Sequence, residues 1–292
     1  MLFLAGSVVF STLLTVGFKI CQRLRIDTFQ SIIFNYLTCI IVGTVFGNSH
    51  PFYREVSANS WFPFALVLGC CFILFFNITA LTVKTSGVAV AGVATKISLV
   101  IPFLFSIYYF NEIAGITKWA GISIAIVSVL LTGYVRQTGV GKGGGKMLWL
   151  LPFILFLGTG FQDTLIKFTE HNFVKPGQLD AFLVVCFIVA FSIGFILMLG
   201  ALAVQRIKFD PKAIMAGICI GIPNYLSIWC LVKVLKIYPD ESSFVIPVNN
   251  VAILLLNVLA GFFLFREKLS RLNIAGILLA IISILLITSN IP

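Results

Sequence analysis

The sequence has little charge and few groups for acid–base or metal chemistry. Only 10% of its 292 residues are Asp, Glu, Lys or Arg, whereas a soluble globular protein carries roughly 25%. The ten acidic residues are scattered, and the two histidines, His50 and His171, are predicted to lie in separate loops. An enzyme acting on lipid or prenyl phosphates needs such groups clustered near an interface. The sequence therefore disfavours an enzyme, and no catalytic residue is predicted.

Cysteine usage and glycine spacing exclude further classes of site. None of the seven cysteines has C-x-x-C spacing, so small buried thiols are expected rather than disulfides or metal ligands. The stretch Gly143-Gly144-Gly145-Lys146 lacks the spaced glycines and the Ser or Thr of a phosphate-binding loop. We expect no metal and no cofactor.

Apolar residues dominate what is present. They make up 60% of the chain, and the mean hydropathy is +1.10. A helix needs about 20 apolar residues to cross a hydrocarbon layer of about 30 Å. Ten runs meet this requirement, at roughly 2–20, 28–47, 61–83, 87–110, 115–135, 147–168, 178–204, 213–235, 242–265 and 272–289. The fold class predicted is an all-α membrane protein with ten transmembrane helices, in contact with membrane lipids.

The net charge of +10 comes from basic residues dispersed among short loops, so nucleic-acid binding is not expected. Lys and Arg are concentrated in the loops that follow the odd-numbered runs. The other loops hold only Arg54, Lys118, Lys175 and Lys236. Because cytoplasmic loops carry the excess of positive charge, this count places both termini outside the cytoplasm.

The end of the first half of the chain reappears at the very end, 155 positions later. The matching pairs include Phe110/Phe265, Glu112/Glu267, Ala120-Gly121-Ile122/Ala275-Gly276-Ile277, Ala125/Ala280 and Ser128/Ser283. Each half holds five runs, an odd number, so the second copy enters the membrane in the opposite sense. We predict two five-helix inverted-topology repeats, 1–138 and 147–292, joined by a linker at 139–146.

The pattern Phe110-x-Glu112-x7-Ala120-Gly121 and its second copy resemble the drug/metabolite transporter superfamily, and within it the ten-helix EamA-type members. The lysines that end the first and sixth runs, Lys19 and Lys167, are also similar to that family. The resemblance implies secondary transport and a bacterial cytoplasmic (inner) membrane. Members of the family move amino acids, sugars, nucleotides or drugs. They are often drawn with both termini in the cytoplasm, against the charge count, so orientation stays open.

Polar side chains inside apolar runs are the candidate substrate-binding residues, because each is costly in a bilayer unless paired or facing water. Lys96 would bind an anionic group of the substrate, or else snorkel or pair with a carboxylate such as Asp163. Asp163 would carry a coupling proton, or else hold Lys167 one turn later. The full set is Lys96, Asn224, Tyr225, Trp229, Asn249, Asn250, Asn77, Asn35, Asp163 and Gln162.

The amides suit neutral or zwitterionic solutes, but they serve equally as interhelical hydrogen-bonding groups. Asn224, Tyr225 and Trp229 follow Pro223 closely and are predicted to form one pocket wall. Pro102, Pro223 and Pro247 are predicted to interrupt their helices near a transport site, or else to be simple packing kinks of membrane helices.

Glu112 and Glu267 are expected to be structural, each acting on the helix that follows it or on loop bases such as Lys118 or Arg271. The spacings Gly43-x3-Gly47 and Gly217-x3-Gly221 predict close helix contact within one molecule, and we expect a monomer.

The leading functional hypothesis is a secondary transporter, exporter or permease, of small polar metabolites such as amino acids. Its two halves would rock about a central site to give alternating access, with protons as a conceivable coupling ion. A sugar or nucleotide-sugar permease is the nearest alternative. A membrane-embedded lipid-modifying enzyme is a remote one.

Overall fold

The computed structural model of the protein describes residues 2–46, 56–86, 88–132, 147–175, 177–266 and 271–288. These residues form eleven α-helices and one 3₁₀ turn, with no β-strand among them. The helices are α1 Leu2–Arg23, α2 Thr28–Phe46, α3 Phe62–Ser86, α4 Val88–Ile97, α5 Val100–Tyr109, α6 Ile116–Thr132, α7 Met147–Phe173, α8 Leu179–Ala203, α9 Lys212–Ile237, α10 Ser242–Phe265 and α11 Arg271–Thr288. The predicted linker 139–146, Gly47 and Glu267 lie outside the described residues.

Helices occupy each of the ten predicted apolar runs. Eight segments of the described chain are long and apolar enough to cross a membrane. One of these, Ala91–Tyr109, combines α4 and α5. The other two predicted runs, α6 and α11, are shorter apolar helices. Many large apolar side chains point outward, as lipid-facing residues do, among them Phe46, Phe263 and Ile196.

The predicted fourth run is interrupted just after Lys96. Pro102 has no N–H to donate to the Ser98 carbonyl, so the Ile101 amide donates to it instead, at 3.0 Å. The Leu99 amide likewise donates to the Lys96 carbonyl at 3.3 Å. Bonds across three residues rather than four tighten the chain here and separate α4 from α5. Pro102 itself lies in the first turn of α5, where proline is tolerated.

The structure does not show the other two predicted interruptions. Pro223 lies inside α9 and Pro247 inside α10, and both helices continue through them. Neighbouring helices in a packed bundle hold such a helix together despite one missing N–H donor. A proline in an apolar run is thus no sufficient sign of a break.

The helices form two compact units that do not coincide with the sequence repeats. Unit 1 comprises Met1–Asn77 and Leu165–Lys236, and unit 2 comprises Ile78–Thr164 and Ile237–Pro292. Each unit therefore draws helices from both predicted halves, and α3 and α7 contribute residues to both units. A repeat in sequence need not be a unit of packing, because a duplicated chain can bury its helices against those of the other copy.

Close helix contact in unit 1 depends on small residues. A methyl group built on Gly217 would lie 2.3 Å from the Cβ of Phe34 on α2, and one on Gly221 would lie 2.5 Å from the Cβ of Thr38. Both glycines thus let α9 approach α2 within one molecule, as their spacing predicted. On another side of α2, Gly43 lies against Val184 of α8.

Replacing Gly217 by Ala is expected to destabilise the protein by about 1–3 kcal/mol, because the added methyl group meets Phe34 and backbone atoms of α2. The matched control is Gly200→Ala in α8, where nothing lies within 4 Å of the added methyl group. The stability of both variants is measured as the temperature at which the protein in detergent ceases to be monodisperse. Equal stability of the two variants would contradict the close contact.

Two helix contacts of unit 1 correspond to each other under the predicted repeat. The first helix, α1, packs on α9 where Gly17 meets Ile220. Its counterpart in the second half, α7, packs on α3 where Phe64 stacks on Phe173, with ring centroids 4.7 Å apart. Helices α1 and α9 occupy the first and eighth predicted runs, and α7 and α3 occupy the sixth and third. In the predicted repeat, the first run corresponds to the sixth and the third to the eighth. Exchanging the two halves of the chain therefore converts one contact into the other.

Unit 2 contains a seam in which the repeated motif packs on its own copy. The Ser128 hydroxyl of α6 donates to the Gly276 carbonyl of α11 at 2.9 Å. A methyl group on Gly121 would lie 3.2 Å from the Ser283 carbonyl. Gly121 and Gly276 are equivalent in the repeat, as are Ser128 and Ser283. Position 121 faces 283 and position 128 faces 276, so the two helices run antiparallel.

Candidate functional site

Three polar residues that the sequence singled out meet inside unit 2. The Lys96 ammonium donates to the Oδ1 atom of Asn250 at 3.1 Å. The side chain of Asn250 also lies against the Asp163 carboxylate, and Lys96 and Asp163 interact electrostatically. Asn250, on α10, thus links a cation on α4 with an anion on α7. We call this group the Lys96–Asn250–Asp163 triad.

Local structure sets the position of each member of the triad. Lys96 lies in the last turn of α4, directly before the tightened turn described above. Asp163 lies near the middle of the candidate membrane segment Leu150–Phe173, and Asn250 lies inside Ser242–Phe265. The two charged residues are half-buried, and Asn250 is 9% exposed. Two charges at this depth in apolar helices are partly compensated by each other.

A further polar atom lies on the same helix. Asn249 is 4% exposed, and its Oδ1 atom has no hydrogen-bond partner within the described part of the chain. A buried acceptor left without a donor costs about 1–3 kcal/mol, so a donor from a bound molecule would recover energy there. Gln162, the neighbour of Asp163 on α7, is half-buried.

The remaining predicted amides belong to unit 1. The Asn224 side chain donates to Asn35 Oδ1 at 3.1 Å, and both residues are buried. The Cys39 thiol donates to the Gly221 carbonyl at 3.3 Å. Asn77 donates to the carbonyl of Ile73, one turn earlier in its own helix, at 2.7 Å. The Asn224–Asn35 bond fits the alternative in which amides join helices, whereas the Asn77 bond stays within one helix.

The predicted pocket wall of Asn224, Tyr225 and Trp229 is divided in the structure. The Tyr225 hydroxyl and the Trp229 indole N–H donate to Asp180 Oδ1, at 3.0 and 2.7 Å, whereas Asn224 turns to Asn35. Neighbouring residues of a helix point about 100° apart, so closeness in sequence did not place them on one face. Asp180, at the start of α8, was not predicted as a site residue. Its sequence position gave no sign of the two donors on α9.

Glu112 acts on a different helix from the one predicted from the sequence. Its carboxylate accepts from the backbone N–H groups of Ser242 and Ser243, at 3.1 and 2.7 Å, and from the Ser242 hydroxyl. It therefore caps the N-terminus of α10, rather than the helix that follows it in sequence. The residue at the N-cap position itself, Glu241, makes no such side-chain bond.

The bases near these carboxylates have partners of their own. Lys118, expected beside Glu112, forms an ion pair with Glu241 at 3.0 Å instead. Lys167 lies 3.8 Å from a Glu170 carboxylate oxygen, one turn further along α7.

Metal ligands, cysteines and a surface pocket were the other candidate sites among the described residues. No group of three or more His, Cys, Asp or Glu side chains is placed to hold a metal ion within the described ranges. The seven cysteines are free thiols, of which Cys70 and Cys219 are exposed. A shallow pocket of about 240 Å³ in unit 1 is lined by Ser60 and residues 171–175, and none of the predicted substrate residues lines it.

Comparisons with known proteins give the fold and little else. No protein-family model matches the chain. An uncharacterised protein of Haemophilus influenzae is 27% identical over 285 residues, which cover 95% of this chain and 94% of that protein. A protein crystal structure matches with a TM-score of 0.74 at 11% identity, covering 99% of this chain and 96% of the other. The chain thus shares its fold over its whole length with a solved structure.

Proposed function

We propose that the protein is a secondary transporter of small polar metabolites such as amino acids, working by alternating access. The Lys96–Asn250–Asp163 triad carries this proposal. Opposite charges inside apolar helices are expensive, and proteins retain them mainly where they serve substrate or ion pathways. Here they are half-buried and meet through an amide that can be displaced. A purely structural pair would gain more from a direct contact between its charges.

The internal symmetry of the chain supports an inverted-repeat carrier. The repeated motif packs on its own copy in antiparallel fashion along α6 and α11. The fourth and ninth predicted runs also run antiparallel, since Lys96 lies beside Asn250 and Ser106 beside Ser242. Corresponding helices that run in opposite directions are what ten crossings in two inverted repeats require. Membership of the drug/metabolite transporter superfamily, in its EamA-type branch, is part of this proposal.

The surroundings and partners follow from the same proposal. The protein would act as a multi-pass monomer in a bacterial inner membrane, with a small-molecule substrate and no nucleic acid. A proton is a possible second substrate, since Asp163 is the one triad member that can become neutral by taking up a proton.

A sugar or nucleotide-sugar permease is the alternative that keeps the same fold. Neutral sugars need hydroxyl and amide partners, which Asn249 and Asn250 provide, but they make no use of a linked cation and anion. An enzyme acting on lipid phosphates would need clustered acids or a metal, for which the described residues offer no group.

Flux measurements on the purified protein in liposomes test the proposal. We expect uptake of at least one labelled amino acid above that of protein-free liposomes, saturating with concentration. Labelled sugars and nucleotide sugars form the second panel. Uptake of sugars alone would replace the amino-acid proposal with its alternative. Absence of flux for every panel, with protein that remains folded, would contradict a transporter of small polar metabolites.

A further inference from the structure

We propose that the Lys96–Asn250–Asp163 triad is a two-charge site for dipolar solutes, which carry both a carboxylate and an ammonium group. The solute carboxylate would pair with Lys96 and the solute ammonium with Asp163, while Asn250 releases both. This inference rests on the proposed transport function and names the charge pattern of its substrate.

The side chain of Asn250 already has the polarity of such a solute. Its carbonyl oxygen accepts from the Lys96 ammonium, and its amide group faces the Asp163 carboxylate. Only this orientation of the amide fits, because an ammonium group needs an acceptor and an ionised carboxylate needs a donor. Asn250 thus offers an oxygen to the cation and an N–H to the anion, as a carboxylate and an ammonium would.

The size of the Asn250 amide favours a solute whose amino group is close to its carboxylate. In Asn250 the oxygen and nitrogen are bonded to one carbon atom, whereas an α-amino acid separates its carboxylate and ammonium by one carbon more. A small shift of the long Lys96 side chain accommodates this difference. Solutes with several carbons between the two charges would need a larger separation of Lys96 from Asp163.

Charge balance also selects a dipolar solute. Ionised Lys96 and Asp163 sum to zero, so an anion or a cation alone would leave a net charge among apolar helices. A neutral solute would leave both charges to be satisfied by Asn250 and gain little by displacing it. A solute with one charge of each sign replaces both interactions of Asn250 with stronger, charge-assisted bonds.

Ligand-induced thermal stabilisation of the purified full-length protein provides the test. The first probes are the twenty standard L-amino acids. For each one that stabilises the protein, the matching acid without its amino group and the matching amine without its carboxylate are then titrated. We expect the wild type to prefer the amino acid to both analogues by roughly tenfold or more, the value of one charge-assisted bond.

Single substitutions should change this preference in opposite ways. Asp163→Asn should lose the preference for the amino acid over the acid analogue while keeping that over the amine. Lys96→Met should lose the preference over the amine and keep that over the acid. Lys212→Met and Asp240→Asn, which change exposed residues, should keep both preferences.

The outcomes separate this inference from the proposed function. Equal weakening of all three probes by Asp163→Asn would show a structural role and overturn the inference, as would wild-type protein that binds no amino acid. If liposomes transport only solutes that are not dipolar, the inference falls and transport stands. If amino acids bind with the stated preferences but no flux occurs, the site stands and transport falls.

Discussion

Lys96→Met should reduce amino-acid flux in liposomes by roughly 10- to 100-fold at equal protein density, because one charge-assisted bond to the solute is lost. The substitution removes the ammonium group but keeps an unbranched apolar side chain of similar length. It also leaves the Asp163 carboxylate without its cation inside apolar helices. A fall in stability of about 1–3 kcal/mol should therefore accompany the loss of flux.

A double variant separates these two effects. Lys96→Met combined with Asp163→Asn removes both charges at once, so no uncompensated charge remains and stability should return toward that of the wild type. Flux should stay low, because neither charge of the solute has a partner. Lys212→Met, at an exposed lysine, is the matched control for the single change. Recovery of flux in the double variant would show that the charges serve only to hold the helices.

Glu112→Ala should lower the stability of the protein by about 2–4 kcal/mol, because three donors at the start of α10 lose a buried acceptor. Glu112 is 6% exposed, so water cannot readily replace its carboxylate. The measurement is the temperature at which the detergent-solubilised protein loses its monodisperse form, and a fall of several degrees is expected.

Two comparisons keep that prediction specific. Glu112→Gln retains an acceptor oxygen without the charge, so it should lie between the wild type and Glu112→Ala. Asp240→Ala changes an exposed carboxylate two residues before α10 and should have little effect. An equal loss of stability for Asp240→Ala and Glu112→Ala would contradict the capping role. Because α10 carries Asn249 and Asn250, Glu112→Ala should also reduce flux.

Hydropathy predicted where the helices lie, because apolar run length reports directly on the lipid environment. The prediction that Pro102 interrupts the fourth run agrees with the break between α4 and α5, a few residues before the proline. The same prediction for Pro223 and Pro247 was wrong, because α9 and α10 continue through these residues. The extent of helix packing depends on residues distant in sequence and was therefore invisible.

The members of the candidate site could be singled out from the sequence, but their arrangement could not. Lys96, Asp163 and Asn250 stood out because each is polar within an apolar run, but nothing in the sequence indicated that Asn250 joins the other two. Glu112 was recognised as structural. The helix that it caps begins 130 residues later, so only the folded chain could identify it. The function of the triad stays a prediction until binding and flux are measured.

The antiparallel seam of α6 and α11 bears on how such a chain arises. If the proposed repeat arose by duplication, a single ancestral surface would complement itself where Gly121 meets Ser283 and Ser128 meets Gly276. Copying the gene segment for that helix would supply a fitting partner in the same event, without a second round of adaptation. Later substitutions on one side would then be tolerated best when the matching position on the other side changed with them.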